Sequence, residues 1–436
     1  MHGRSSCLIA ESWDEESTVK FEEMVSELQL GQQGDALQAG WQQSQEEMPP
    51  DLPFLEPEFV RWACGQVYVP EGMAEAAAQI AERIAGSEAL RRLAWHMHYR
   101  LYRAKSTQWD DVCAWPTLQA SLGDEAGLFY LVVLVSNVPE MQELHRKREV
   151  PAEVVRDTLL DMRNWLATDW KAGRRGLVPM HVAWLQNHLR GDIYRLGRLQ
   201  FQFGSFYYQL RAFRHCRTNV VVALAEEGMT YTLDGRRPHG EQDQAWTASL
   251  TITDTEAVGC PLHPAGRAVH RQVRLSLAEW RQELAPGDKV LHVHIPGGAP
   301  LHHEACGESF RRAMEFFARH YPEYRFATFC CSSWILNTWL EEALSPDSNL
   351  VRFQRELYLF PTSQWPNSML HRVFGEGAVD PATAPRDTEL RRAIISALEQ
   401  GQDLRGGGGG MFLFPQDFGW GAQVYRSQKL PFDLGS

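Results

Sequence analysis

The sequence predicts an α+β protein: a helical N-terminal part, then a mixed, largely antiparallel sheet flanked by helices. Three observations carry this. Apolar residues recur at helical spacing as far as residue 190. At Asp192 the spacing changes to period two. From Lys289 onward, strand-like and helix-like segments alternate. A chain of 436 residues exceeds what one core usually serves. Two domains are therefore expected, residues 1–150 helical and residues 151–436 sheet-bearing.

Taking the elements in order, the first forty residues are acidic and look poorly structured. Residues 1–60 hold thirteen Asp and Glu against Arg4 and Lys20 alone, which is nearly all of the formal charge of -12. "EGMAEAAAQIAERIA" places Met73, Ala77, Ile80 and Ile84 on one helical face. Ser87 can cap the next helix, with Leu90, Leu93, Ala94 and Met97 inward. "LFYLVVLV", Leu128–Val135, fits a buried helix or a buried strand; helix is favoured, with Asp124 as its cap. "PAEVVRDTLLDMRNWLATDW" and "LVPMHVAWLQNHLRG" are two further helices, the first begun by Pro151 and closed by "KAGRRG".

The strands begin with "DIYRLGRLQFQFGSFYYQLRAF" and continue through "NVVVALA", "MTYTLDGRRPHG" and "WTASLTI". "KVLHVHIP" is a strand, "EACGESFRRAMEFFARHY" a helix, "YRFATFCCSSWIL" a strand, "NTWLEEALSP" a short helix and "VRFQRELYLFP" a strand. "DTELRRAIISALEQG" has a helix start and a glycine stop. "RGGGGGMFLF" reads as a flexible turn into a last strand, because its glycines lack the Lys-Ser/Thr of a phosphate loop.

Composition narrows the function. No Lys/Arg block accumulates, so no nucleic-acid partner is expected. The longest strongly apolar run falls short of the roughly 18 residues a span needs, and the N-terminus lacks a signal peptide's apolar core. A cytoplasmic protein with no membrane partner is expected. The eight dispersed cysteines contain no C-x-x-C pair and read as reduced thiols.

"LHVHIPGGAP", residues 291–300, is the stretch with the most chemistry. His292 and His294 share a strand face and could share an ion. Positions 297–301, Gly-Gly-Ala-Pro-Leu, offer no carboxylate, and the helical zinc motif is missing, so no metal is expected. A strand, two glycines and a helix start instead suit an anion, which backbone N–H groups and the helix dipole would receive.

The stretches "NHLRGDIYRLGRLQF", "APGDKVLHVHIPGGAPLHHEACGESFRRAMEFFARHYPEYRF", "CSSWILN", "SPDSNLVRFQREL" and "RDTELRRAIISALEQG" occur in an order similar to that of a bacterial two-domain family of acyltransferase domain-containing proteins. That family joins a helical N-acyltransferase N-terminal domain to a GNAT-like C-terminal domain. The resemblance implies a GNAT-like N-acyltransferase that moves an acyl group from a pantetheine thioester to an amine. It implies that Ile295, Gly297, Gly298 and Ala299 meet the donor, and that the strand after the helix splays away to open a notch for the thioester. The loop carries no basic residue, so acyl-CoA and acyl-phosphopantetheine on an acyl carrier protein both stand as donors. The acceptor is expected to be a small-molecule amine.

Transfer to an amine needs a base, a carbonyl-polarising donor and an acid for the leaving thiolate. His294 is the first candidate base and His292 the second. The main-chain N–H of His294 or Ile295 would polarise the carbonyl, since Pro296 has none. Ser333 and Cys331 share a strand face and are candidates for the acid. Cys331 could alternatively carry the acyl group as a nucleophile, which would make the protein an acyl-enzyme hydrolase or transferase. Arg352 and Gln354, alternating on their strand, could line the acceptor side, and Arg198 could meet a substrate carboxylate. Ser332 and Asn337 stand where the family pattern has His and Asp, which keeps open a GNAT-like binding protein without transfer.

Overall fold

The computed structural model describes residues 15–104, 108–171, 175–239, 244–363, 367–375, 377–404 and 408–432. It divides into two compact units, Met1–Tyr194 and Arg195–Ser436.

The regular elements of the first unit are helices as far as Arg190, among its described residues, and its last two residues begin the first strand. Its centre is the helix Ala126–Val135, in which Leu128 through Val135 are all buried. A helix apolar all round must be enclosed by others, and Glu71–Gly86, Glu88–Tyr102 and Pro179–Arg190 enclose this one. The helical run 119–147 has the length and composition to cross a membrane, yet 72% of its most apolar window is buried in the unit, as in a core helix. Ser87 caps Glu88–Tyr102 by accepting from the Leu90 N–H. Asp124 does not cap; it lies in a short 3-10 turn ahead of the helix.

Two expectations are corrected here. The early acidic segment is helical from Glu15 and built into the core from Phe21 onward: Phe21, Met24, Leu28, Leu30, Leu37 and Trp41 are buried with the other helices. Its charges occupy the outer positions and hide the apolar stripe from a reading by composition. The domain boundary lies after Tyr194 and not near 150, because Leu159, Met162, Leu166, Val182, Leu185 and Leu189 join the same helical core. The expected stop at "KAGRRG" falls partly outside the described residues.

The second unit is organised on a six-stranded sheet in the order Ile193–Leu196, Leu199–Ser205, Lys289–His294, Thr328–Ser333, Gly408–Leu413, Tyr358–Thr362. Lys289–His294 and Thr328–Ser333 run parallel; their outer neighbours run antiparallel to them. A parallel pair needs a crossover, and the helix His303–His320 supplies it. Phe310 and Phe317 of that helix meet Phe201, Phe203 and Phe329 edge to face, which seals one side of the sheet. Five strands between Leu210 and Leu284 form a second, antiparallel sheet, and Phe213, Val222, Leu224 and Trp280 share a core with Leu275 of a small three-stranded sheet.

"VRFQR" is helical, Asn349–Arg355, and the strand starts only at Tyr358. Ser348 accepts from the Val351 N–H and fixes the turn, while Val351 and Phe353 bury. The glycine run also differs from expectation. Gly408, Gly409 and Gly410 are strand residues; Gly409 and Gly410 are paired on both sides and Gly408 with Thr362 alone. A Cβ on Gly409 would strike the Leu336 carbonyl and one on Gly410 the Phe360 ring, so the strand needs glycine for close approach. Residues 405–407 lie outside the described set.

Candidate active site

The site is built where the two parallel strands part. Their register couples Val290 to Thr328, Leu291 to Phe329 and His292 to Cys330, and ends there. Beyond that rung the first strand stays paired with Leu199–Ser205 as far as His294, and the second stays paired with Gly408–Leu413 as far as Ser333. The gap between them is therefore held open by two outer neighbours, and the backbone groups facing it have no ladder partner across it. His294, Ile295 and Ser333 stand at its lips.

His292 and His294 lie on the sheet face away from the His303–His320 helix. His294 Nε2 bonds the Gln202 amide oxygen at 2.8 Å. His292 has both ring nitrogens engaged: Nε2 with the Ser205 carbonyl at 3.1 Å and Nδ1 with Cys330 Sγ at 3.3 Å. Tyr207, 61% exposed, stacks on it at 5.2 Å. Burial moves its pKa down, so it is neutral at pH 7. With the carbonyl accepting from Nε2–H and the thiol donating to Nδ1, that neutral ring has no vacant position for a substrate proton.

Cys331 follows Cys330 on its strand and so alternates to the other face; it is buried, and burial pushes its thiol up to about 12. Such a thiol is a poor nucleophile at neutral pH. Ser333 is half-buried, and its oxygen accepts from the Ile335 N–H at 3.4 Å.

The loop 295–302 runs from the strand to the helix. Gly297, Gly298 and Ala299 are exposed, and Gly298 has φ +88, open to glycine at no cost. Arg198 braces this loop. Its Nη2 donates to the Ala299 carbonyl at 2.8 Å and its Nε to the Pro300 carbonyl at 3.0 Å. Nη1 is buried without a partner among the described residues. The basic group missing from the loop's own sequence thus arrives from a turn about a hundred residues earlier, and no local pattern could announce it.

Arg352 and Gln354 do not line a strand face. Arg352 pairs with Glu304 at 2.9 Å and bonds His303 Nδ1 at 3.2 Å. Gln354 is fully buried and donates to the Ile335 and Asn337 carbonyls at 2.7 and 3.1 Å, so it closes a backbone turn. Neither side chain is brought to His294. The residues that sequence reasoning missed are Gln202, Tyr207 and Cys330. Gln202 was discoverable in principle, since it lies on the alternation of "RLQFQF" beside the histidine strand. Among the described residues, no group of three or more His, Cys, Asp or Glu could hold a metal ion.

A family profile described as the N-acyltransferase N-terminal domain matches residues 59–191, and one described as the GNAT-like C-terminal domain matches residues 193–411. The chain belongs to this two-domain acyltransferase family. The profiles change over where the compact units divide. Solved structures agree. An acyltransferase in complex with CoA and 10C-teicoplanin is 25% identical with a TM-score of 0.59, over 90% of this chain and 99% of that one. One in complex with decanoyl-CoA and teicoplanin is 25% identical with a TM-score of 0.58, over 90% and 99%. A mutant acyltransferase in complex with octanoyl-CoA, 24% identical, has a TM-score of 0.59 over 91% and 99%. No curated protein matches the chain. The protein is an acyltransferase with a GNAT-like fold.

Proposed function

We propose that this acyltransferase transfers an acyl chain directly from acyl-CoA to the amine of a small-molecule acceptor. The observation that carries the reading is the parting of the parallel strands beyond His292 and Cys330, with His294 at its lip and the glycine loop at its end. The relatives that hold CoA, octanoyl-CoA or decanoyl-CoA support CoA over a carrier-bound donor. So does Arg198, which adds a cation to the loop and removes the reason to prefer a donor with one phosphate.

In this mechanism the N–H groups of 297–299 and the start of the His303–His320 helix receive the diphosphate. The thioester enters the gap, where the Ile295 N–H polarises its carbonyl. His294, oriented by Gln202, takes the ammonium proton, and the free amine attacks. As the C–S bond breaks, Ser333 passes its proton to the thiolate and takes in its place the surplus proton from the nitrogen of the new amide. His292 is a wall of the site. Relatives are solved with teicoplanin beside decanoyl-CoA and with 10C-teicoplanin beside CoA; the amine class is this proposal's own.

The test has two parts. Calorimetry with CoA, octanoyl-CoA and free pantetheine should rank CoA and octanoyl-CoA far above pantetheine. A thiol-release assay with octanoyl-CoA should respond to an amine acceptor. Binding without acceptor-dependent release, across amines and glycopeptides, would leave a ligand-binding protein and sink the proposal.

A further inference from the structure

The segment after the family match, residues 412–432, is not needed to complete the sheet beyond Leu413, yet it reaches the donor loop's helix. Trp420 is the contact. Its indole N–H donates to the His303 carbonyl at 2.9 Å, at the first residue of the His303–His320 helix. Its ring lies against those of His303 and Phe310 at 5.2 and 5.4 Å. Gly307, one turn along, has no side chain to keep it off: a Cβ there would stand 2.5 Å from the indole.

A second bond set converges on the same helix start. Glu356 is buried, and its two oxygens serve three donors. Oε1 bonds His303 Nε2 at 2.9 Å; Oε2 accepts from the Gly421 N–H at 2.9 Å and the Gln423 N–H at 3.3 Å. One carboxylate therefore ties the C-terminal segment and the helix start together. A buried carboxylate with three donors is a strong, geometrically specific link, and losing one partner leaves the others uncompensated.

The loop between the histidine strand and this helix is thus held at two points. Arg198 holds its carbonyls at Ala299 and Pro300, and His303 fixes its far end. We infer that Trp420 and Glu356 are positioning residues for the acyl donor: the C-terminal segment Phe418–Gln423 is a latch that sets the N–H groups of the glycine loop and helix start before CoA arrives. A loop ordered in advance binds more tightly because less freedom is lost on binding. The inference rests on the proposed CoA site and adds to it a part of the chain that the family profile does not cover.

The variants are Trp420→Phe, which keeps the ring and removes the donor, and Glu356→Gln, which sets an amide against His303. In the full chain, each should raise the Kd for CoA and the KM for octanoyl-CoA by about tenfold, the scale of one well-placed hydrogen bond, and leave kcat within about twofold. Gly307→Ala should do the same by displacing the indole. Gly307→Ala combined with Trp420→Ala should cost less than the two losses added, since the methyl then has room. If a variant fails to fold, hydrogen exchange on the unaltered protein decides: CoA should slow exchange in 296–306 and in 418–426 together. Variants that melt lower but bind CoA as the unaltered protein does would make the latch merely structural, as would protection of the loop without the tail. An unaltered protein that binds no CoA refutes the donor site itself, a different failure.

Discussion

Arg198→Ala removes the fork that holds the glycine loop, and its effect can be worked from the structure. Two hydrogen bonds are lost, at 2.8 and 3.0 Å, from a guanidinium that burial already disfavours. Hydrogen bonds to charged groups contribute about 1.5–3 kcal/mol when well buried. Arg198 is only half-buried, so about 1 kcal/mol each is the fair figure, about 2 kcal/mol together. If that energy holds the loop ready for the donor, the Kd for CoA rises by about thirtyfold. The guanidinium is also the cation held at this loop, so the loss should fall on ligands with the diphosphate and spare free pantetheine. Arg198→Lys should recover little, because an ammonium keeps the charge but cannot fork two carbonyls. The assay is calorimetry with CoA and pantetheine on all three proteins, with melting temperature as the control for folding. Equal CoA affinity in a folded Arg198→Ala protein would refute the reasoning, and so would an equal loss for pantetheine.

The remaining predictions concern stability and the thiols. In the helical unit, burial lowers the pKa of His96 and His98 to about 3 and of His145 to about 4, below the ordinary 6.5. The unfolded chain therefore binds more protons than the folded one below pH 6.5, so stability is full above that value and falls as pH drops toward 4. Each histidine costs about 1.4 kcal/mol at pH 5.5, about 4 kcal/mol for the three; urea midpoints followed by helical circular dichroism should drop steeply between pH 7 and 5.5, and a flat profile would contradict the burial. Cys331→Ala should leave turnover within about twofold, since a small apolar group replaces a buried thiol; intact mass after octanoyl-CoA should show no adduct, and an adduct lost on Cys331→Ala would restore the covalent route.

The order strand, glycine loop, helix, strand was legible because each element has its own period and its own stop. His294 was legible for the same reason: alternation in "LHVHIP" fixes its face and Pro296 fixes the strand's end. Other features depend on contacts distant in sequence. Arg198 reaches the loop across about a hundred residues, and the Cys330 thiol that occupies His292 is set by parallel register, which no sequence spacing states. Short elements also mislead. "VRFQR" alternates like a strand, but a seven-residue helix is too brief to show a 3.6 period, and its Ser348 cap was the only local sign. Glycine is ambiguous for a physical reason: it marks a turn where φ is positive, as at Gly298, and close approach where it is not, as at Gly409.

The central claim is direct transfer with His294 as the base. The measurement is the pH profile of octanoyl-CoA turnover for His294→Ala against the unaltered protein, with an amine acceptor at saturation and CoA affinity measured alongside. A lost general base costs about a hundredfold or more, and a deprotonated amine needs none, so the deficit should shrink as pH approaches the acceptor's own pKa. The predicted result is a turnover loss of about a hundredfold at pH 7, recovery at high pH and an unchanged Kd for CoA. Turnover at pH 7 equal to that of the unaltered protein would contradict the account, as would a loss that stays constant at every pH.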